Sequence, residues 1–125
     1  MAILQLRSKR KPTGGRYKRV IVKRLGRLGR LPVLTKLGVH KRKTIRVIGG
    51  NVKEKLLSSN KVNVYSPEEK KFFVLDIKNI VENPANKHYV RRNILTKGCV
   101  VETEKGKVKI TSRPGQESVL NGIFV

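Results

Sequence analysis

Acidic residues are scarce in this chain of 125 residues. It contains eight Asp and Glu against thirty Lys and Arg, which gives a formal net charge of +22 at pH 7. Residues 1–46 carry sixteen of the basic residues and no carboxylate, and Glu54 is the first acid. Such a block cannot relax its repulsion through internal ion pairs, so we expect it to stay extended and mobile until it meets an anion. The composition excludes an ordinary neutral enzyme as the default interpretation and indicates a polyanionic partner.

Cysteine and long apolar runs are also lacking. The single cysteine, Cys99, excludes an intramolecular disulfide framework and fits a reducing, intracellular compartment. No apolar run reaches the roughly 18 residues that span a bilayer. The densest apolar patch, Phe72 to Val81, is interrupted by Asp76, Lys78 and Asn79. We therefore expect an intracellular, soluble protein with no membrane partner.

The residue types that catalysis and metal binding require are few and scattered. The chain has two histidines, His40 and His88, one Asp and seven Glu. With Cys99 these could supply a nucleophile and a base, but no third, orienting group stands at a recognisable spacing. Neither a set of metal ligands nor a glycine-rich nucleotide-binding loop is present. The sequence predicts no enzyme, no cofactor, no metal ion and no small-molecule substrate, and it predicts Cys99 as a core residue.

From residue 44 onward the residue types become those of β-strands. Of thirty apolar residues in 47–125, eighteen are Val or Ile, the β-branched types that suit a half-buried pleated surface. Short strands at nearly regular spacing are typical of a small barrel or sandwich. The predicted fold is mainly β, with a small β-barrel-like domain over residues 44–125. An extended basic N-terminal arm over residues 1–43 precedes it.

Turn residues divide the β-domain into individual strands. Gly49-Gly50-Asn51 predicts a hairpin between strands at 44–48 and 52–57. Glu104-Lys105-Gly106 predicts a second hairpin, between strands at 94–103 and 107–111. Asn83 to Asn86 predicts a turn or a single helical turn, and Ser112 to Gly115 predicts a type II turn. The other strands are predicted at 62–65, 72–81 and 119–125.

The basic residues form clusters that suit phosphate. The first surrounds Pro12-Thr13-Gly14-Gly15, whose glycines let a backbone approach a phosphate closely and offer N–H donors. Arg side chains near it can bind phosphate oxygens in pairs. Further clusters lie at the entrance to the first strand, in a loop after His88-Tyr89, and in the Pro-Gly turn. The predicted RNA-binding residues are Arg7, Lys9, Arg10, Lys11, Thr13, Gly14, Gly15, Arg16, Lys18, Arg19, Lys23, Arg24, Arg27, Arg30, Lys41, Arg42, Lys43, Arg46, Arg91, Arg92 and Arg113.

Composition leaves several kinds of anionic partner open. Apolar residues between Tyr17 and Leu28 fall at helical spacing, which admits a membrane-surface helix, although Gly26 and Gly29 weaken it. Composition does not separate RNA from DNA, so a basic chromatin-like DNA-binding protein also remains open. Only six residues are aromatic and no base-stacking motif occurs, which disfavours sequence-specific reading of single strands. A charged arm joined to a compact β-domain favours backbone and shape recognition of a folded RNA.

Five blocks along the chain match one known family in order. They read RSKRKPTGGR at 7–16, KTIRVIGGN at 43–51, VENPANKHYVRRN at 81–93, TKG at 96–98 and TSRPGQ at 111–116. With these blocks the chain resembles the small-subunit ribosomal protein S8e family in its short archaeal form. The resemblance covers nearly the whole length.

The resemblance implies a structural constituent of the small, 30S-type ribosomal subunit in the cytoplasm. It implies binding to 16S-type ribosomal RNA and contact with neighbouring small-subunit ribosomal proteins. Residues 9–16, Arg42, Lys43 and Arg46 would face the RNA. The chain departs from the family at Ile48, where Arg is usual, and over residues 20–31, which are less polar than usual. We expect part of 20–31 to pack on protein or on the β-domain instead. The alternative is a ribosome-assembly factor, known as a longer relative of the same fold.

Overall fold

The computed structural model of the protein describes residues 3–4, 6–18, 24, 26 and 28–125. The chain forms two compact units, Met1–Pro32 and Val33–Val125. Among its described residues the first unit has the strands β1 (Ile3–Leu4) and β2 (Leu28–Gly29), which pair antiparallel. The strands of the second unit are β3 (Thr35–Leu37), β4 (Lys41–Arg46), β5 (Val52–Ser59), β6 (Lys61–Ser66), β7 (Lys71–Glu82), β8 (Ile94–Leu95), β9 (Val100–Thr103), β10 (Gly106–Ile110) and β11 (Asn121–Phe124).

Five strands of the second unit close into a barrel in the order β10-β11-β6-β7-β9. The first half of β7 pairs with β6 and the second half with β9, both antiparallel, so this long strand links two sides of the barrel. The β6 and β11 strands are parallel, and their pairing completes the closure. The predicted fold class, mainly β with a small barrel, is confirmed.

The core follows the two-residue alternation of the strands. In β6, Val62 and Val64 point inward and are buried, whereas Lys61 and Asn63 face solvent. The same alternation holds in β10, where Val108 and Ile110 are buried between exposed lysines. Removing these apolar side chains from water is the main favourable term in folding. The buried cluster consists of Leu56, Val62, Val64, Leu75, Ile77, Ile80, Leu95, Cys99, Val101, Val108, Ile110 and Leu120.

A second sheet has the strand order β4-β5-β3-β8. The predicted hairpin joins β4 to β5 in antiparallel register, through a turn over Ile48–Gly50. Gly49 and Gly50 have φ values of 76° and 77°, a backbone conformation that glycine adopts without steric cost. The β3 strand runs parallel to β5 and antiparallel to β8. Residues 35–37 and 41–43, which the sequence analysis assigned to the arm, are thus strands in the unit Val33–Val125.

Two predicted strands are shorter in the structure. The strand predicted over 94–103 is interrupted, because Gly98 adopts φ +84° in a turn between β8 and β9. The last strand covers Asn121–Phe124 rather than 119–125. The hairpin predicted around Glu104-Lys105-Gly106 is confirmed, with Thr103 opposite Gly106 in the β9–β10 pair.

The prediction of a type II turn near Pro114 is wrong. The turn is centred on Pro114 and Gly115, and the Gln116 N–H donates to the Arg113 carbonyl at 2.9 Å. A type II turn requires a positive φ at its third residue. Gly115 is absent from the positive-φ residues of the structure, and the Glu117 N–H also donates to Arg113, as in a helical turn.

A short helix, α1 (Lys87–Arg91), follows the predicted turn at Asn83 to Asn86. The Asn86 side chain caps it by accepting a hydrogen bond from the His88 N–H at 2.9 Å. Arg91 therefore lies in the last turn of α1 and Arg92 is its C-terminal cap. The prediction of Arg91 as a loop residue is wrong, since five helical residues are too few to show a helical period. Arg92 lies in the turn that follows the helix. In the part of the chain that the structure describes, no helix is long and apolar enough to cross a bilayer.

Candidate nucleic-acid interface

Residues 9–17 of the first unit form a hairpin, which we call the basic hairpin. The Gly14 N–H donates to the Lys11 carbonyl at 2.9 Å, and the Lys11 N–H donates to the Gly15 carbonyl at 2.8 Å. Beyond the turn, Arg10 and Arg16 form an antiparallel bridge, and the Tyr17 N–H donates to the Lys9 carbonyl. The sequence analysis predicted an extended backbone here and did not identify this hairpin.

The local sequence explains the turn. Pro12 sets the φ value that the second position of a tight turn requires. Gly14 adopts φ +85°, the left-handed conformation that ends a three-residue hairpin loop. The N–H of Gly14 is consequently donated within the turn, whereas the sequence analysis expected it as a donor to phosphate. The role of Gly14 that the structure does show is conformational.

Three cationic side chains in or next to the basic hairpin contact neighbouring groups of the first unit. The guanidinium carbon of Arg7 lies 3.8 Å from the centre of the Tyr17 ring, and Lys11 Nζ lies 5.8 Å from the same centre. Nη1 of Arg10 donates to the Gly14 carbonyl at 2.9 Å. These contacts orient cations without neutralising them, because a ring face and a carbonyl carry no net charge. Lys9, Thr13, Gly15 and Lys18 are also exposed.

The cluster predicted at the start of the β-domain is divided between two faces of the sheet. Side chains alternate along a strand, so Lys41 and Lys43 lie on one face of β4 and Arg42 and Arg46 lie on the other. Nη1 of Arg42 lies 3.4 Å from Oε2 of Glu54, which faces the same side. Among the described residues this is the one ion pair. It is exposed, and such pairs contribute little to stability.

Three further lysines join Lys41 and Lys43, and the sequence analysis did not select them. Lys55 is directly opposite Lys43, and Lys53 is opposite Ile45, in the β4–β5 register. Lys36 of β3 and Lys41 of β4 both pair with Ser58, one from each side. Residues directly opposite each other project from the same face of a sheet. We call these five residues, Lys36, Lys41, Lys43, Lys53 and Lys55, the lysine face.

The other predicted RNA-binding residues are dispersed along the chain or lie outside the residues that the structure describes. Arg24, Arg30 and Arg113 are exposed, as are Arg91 and Arg92 at the end of α1. Arg19, Lys23 and Arg27 lie outside the described residues. So do residues 20–23, 25 and 27 of the segment 20–31, part of which was expected to pack on protein or on the β-domain. In the same region Leu31 is 70% exposed.

Cys99 is a core residue, as predicted. It is buried in the barrel cluster. Burial raises the pKa of its thiol by desolvating the thiolate, and this effect outweighs the hydrogen bond from the Thr96 backbone, which lowers it. The thiol is therefore neutral near pH 7, and a neutral thiol is a poor nucleophile.

Comparison with known proteins confirms the resemblance found in the sequence. A family model described as ribosomal protein S8e matches residues 4–125. The "Small ribosomal subunit protein eS8" of Methanococcus aeolicus is 49% identical over 126 residues, covering 100% of this chain and 98% of that protein. The proteins of the same name from Methanobrevibacter smithii and Nanoarchaeum equitans are 48% and 49% identical, and each alignment covers at least 95% of both chains. On this similarity the chain belongs to the ribosomal protein S8e family, whose members are structural components rather than enzymes.

Proposed function

We propose that this protein is a structural constituent of the small ribosomal subunit that binds folded ribosomal RNA by phosphate and shape contacts. The observation that carries the proposal is the acid-free segment 1–46, among whose described cations only Arg42 has a carboxylate partner, Glu54. Arg10 and Arg16 are directly opposite in the basic hairpin. Like charges in that position repel each other. An RNA backbone supplies the missing negative charge.

The binding mechanism follows from the exposed guanidinium and ammonium groups. A guanidinium presents a planar set of donors that matches two phosphate oxygens, whereas an ammonium acts as a point charge. Each phosphate that is neutralised releases condensed counterions, so the affinity falls as salt rises. The stacking of Arg7 on Tyr17 keeps one guanidinium close to the basic hairpin before RNA arrives. Contacts of this kind read the shape of an RNA fold rather than its base sequence.

The relatives support one of the alternatives that the sequence analysis left open. Three archaeal proteins of nearly the same length carry the small-subunit name, and the alignments span almost all of both chains. This favours a ribosomal protein over a longer assembly factor and over a chromatin-like DNA-binding protein. The cytoplasmic small subunit, 16S-type ribosomal RNA and neighbouring small-subunit proteins are the corresponding location and partners.

The test measures binding of the full chain to an archaeal 16S-type ribosomal RNA transcript at increasing salt. If about six phosphates are contacted, affinity should fall on the order of a thousandfold between 50 and 200 mM salt. The double variant R10Q/R16Q should bind more weakly and lower the slope of log affinity against log salt by about 2. The matched control K78Q/K97Q removes two exposed lysines that are not in the predicted set. It should bind like the wild type.

Two outcomes would contradict the proposal. A salt response close to flat would show that phosphate contacts do not supply the affinity. Equal affinity for duplex DNA and for the transcript would instead support the chromatin-like alternative. Sedimentation of purified ribosomes separates the remaining alternative, because a ribosomal protein stays on mature small subunits in moderate salt whereas an assembly factor is found only on precursors.

A further inference from the structure

We propose that the lysine face is a second RNA-binding surface of this protein and that it holds the phosphate backbone of one RNA strand along the β4–β5 hairpin. The inference rests on the proposed function, because it assigns a further surface to the same RNA partner. It concerns Lys36, Lys53 and Lys55, which no sequence motif selects, together with Lys41 and Lys43. It is also independent of the basic hairpin, since these lysines lie in the unit Val33–Val125.

The register of three strands brings the five lysines together. Lys41 and Lys43 are two residues apart on β4, and Lys53 and Lys55 are two residues apart on β5. Residues at this spacing are separated by about 6.6 Å along a strand, and neighbouring strands lie about 4.8 Å apart. The lysines therefore form two adjacent rows, and Lys36 extends the surface on β3. An elongated polyanion lying along the rows meets several ammonium groups at once.

The distribution of acids shows that the protein itself does not neutralise this surface. Glu54 is the one carboxylate between residues 41 and 59, and it stands between Lys53 and Lys55 in the sequence. Because strand side chains alternate, Glu54 projects from the opposite face, where it pairs with Arg42. Lys43 and Lys55 remain directly opposite each other. Their repulsion opposes folding of the isolated protein and is relieved when a phosphate lies between them.

The surface suits a phosphate backbone better than exposed bases. Besides its ammonium groups it contains Ser58 and the half-buried Ile45 and Leu57, and it contains no aromatic ring on which a base could stack. Ammonium groups act as point charges with rotatable donors, so they tolerate the varied phosphate orientations of a folded RNA. The expected contact is with one RNA strand, because the lysines on β4 and β5 form two adjacent rows only about 4.8 Å apart.

The experiment compares K53E/K55E with K78E/K97E in the full chain, using an archaeal 16S-type ribosomal RNA transcript as the probe. Both variants change the net charge equally, but Lys78 and Lys97 lie outside the lysine face. At 0.1 M salt each lost phosphate contact lowers affinity about eightfold, so K53E/K55E should bind roughly 60-fold more weakly. Its salt slope should fall by about 2. The conservative variant K53R/K55R should retain both the affinity and the slope.

A second measurement separates loss of binding from loss of folding. Replacing Lys55 by Glu converts the Lys43–Lys55 repulsion into an attraction, so the urea midpoint of K55E should equal or exceed that of the wild type. Weaker RNA binding together with an undiminished midpoint is the signature of a binding surface. If the Glu variants lower the midpoint, K53Q/K55Q takes their place, with the same expected change in salt slope.

The opposite results would overturn the inference in recognisable ways. If the wild type binds with strong salt dependence and K53E/K55E binds equally well, the lysine face is a solvated surface, while the proposed function stands. An equal loss in K78E/K97E would show that net charge alone matters. If K53E/K55E binds the transcript normally but fails to enter reconstituted subunits, the face contacts an acidic protein rather than RNA. Failure of the wild type to bind the transcript would instead refute the proposed function.

Discussion

Replacement of Gly122 by Ala should destabilise the barrel strongly. Gly122 is buried in β11, with Ile110 of β10 on one side and Val64 of β6 on the other. An added Cβ would lie 2.5 Å from Cγ1 of Val108 and 2.9 Å from the carbonyl oxygen of Lys109. Both distances are shorter than van der Waals contact, which for carbon atoms is about 3.5–4.0 Å. Relief of these two clashes requires movement of β10 relative to β11.

The surroundings of Gly122 leave little room for relaxation. Val108 is fully buried and, being β-branched, has one strongly restricted side-chain torsion. The Lys109 carbonyl belongs to the backbone of a strand that pairs on both sides, with β9 and with β11. Inserting one carbon into a packed core costs about 1–3 kcal/mol, and we expect the upper end, about 2–3 kcal/mol, because one of the two clashes is with backbone.

Urea unfolding followed by far-ultraviolet circular dichroism measures this loss directly. At about 4–8 °C for each kcal/mol in a domain of this size, the melting temperature should fall by about 10–20 °C. Gly115→Ala is the matched control, because its added Cβ would lie 3.9 Å from the nearest atoms, both in Val33. The control should be neutral or gain up to about 1 kcal/mol through the unfolded chain. If Gly122→Ala unfolds within about 0.5 kcal/mol of the wild type, the barrel is more compliant at β10–β11 than its geometry implies.

Two further predictions concern buried polar groups beside the barrel. Asn83→Ala removes an amide that donates to the Ile94 carbonyl and accepts from Ala85 N and Thr96 Oγ1, at 2.9–3.1 Å. It should cost about 2–4 kcal/mol in urea unfolding, since three partners lose their hydrogen bond, and a loss below about 1 kcal/mol would contradict this. Burial raises the pKa of the Cys99 thiol above its value in the unfolded chain. The stability that the buried, protonated thiol contributes is therefore complete below the unfolded-state pKa, and it is lost as the pH rises through the folded-state pKa. The free energy of unfolding of the wild type should therefore decrease in that alkaline range relative to that of Cys99→Val. If the two free energies of unfolding change in parallel with pH, the raised pKa of Cys99 is refuted.

The strands that sequence predicted well are those with strong local signals. Val and Ile at alternating positions define β6 and β10, and the glycines at 49 and 50 supply the positive φ that the β4–β5 turn requires. Where the local signal was weak, the prediction failed. The helix α1 has five residues and no apolar period, so only its cap at Asn86 marks it. The break at Gly98 lies between two short apolar stretches, 94–95 and 99–101, which were predicted as one strand.

The candidate RNA surface was less predictable than the fold. Clusters that are continuous in sequence, such as residues 9–16, could be selected by charge alone. The lysine face depends on pairings between distant residues, such as the parallel pair Lys36–Ser58. It also depends on the register shift of the β4–β5 ladder beside Lys41 and Arg42, which brings Lys41 opposite Ser58 rather than Leu57. The alternation of Lys53 and Lys55 was visible in the sequence, but their partners were not.

The repulsive arrangement of the lysine face is maintained because the core fixes the register. If the β4–β5 pairing slipped by one residue, Glu54 would stand opposite Lys43 and neutralise it. Because side chains alternate, a slip in which β5 turns over would also take fully buried Leu56 out of the core. Burial of a leucine side chain contributes about 1.5–3 kcal/mol, whereas a cross-strand charge pair contributes about 0.2–1 kcal/mol. The packing of Leu56 therefore prevails, and the chain folds with Lys43 and Lys55 facing each other, where a phosphate can lie between them.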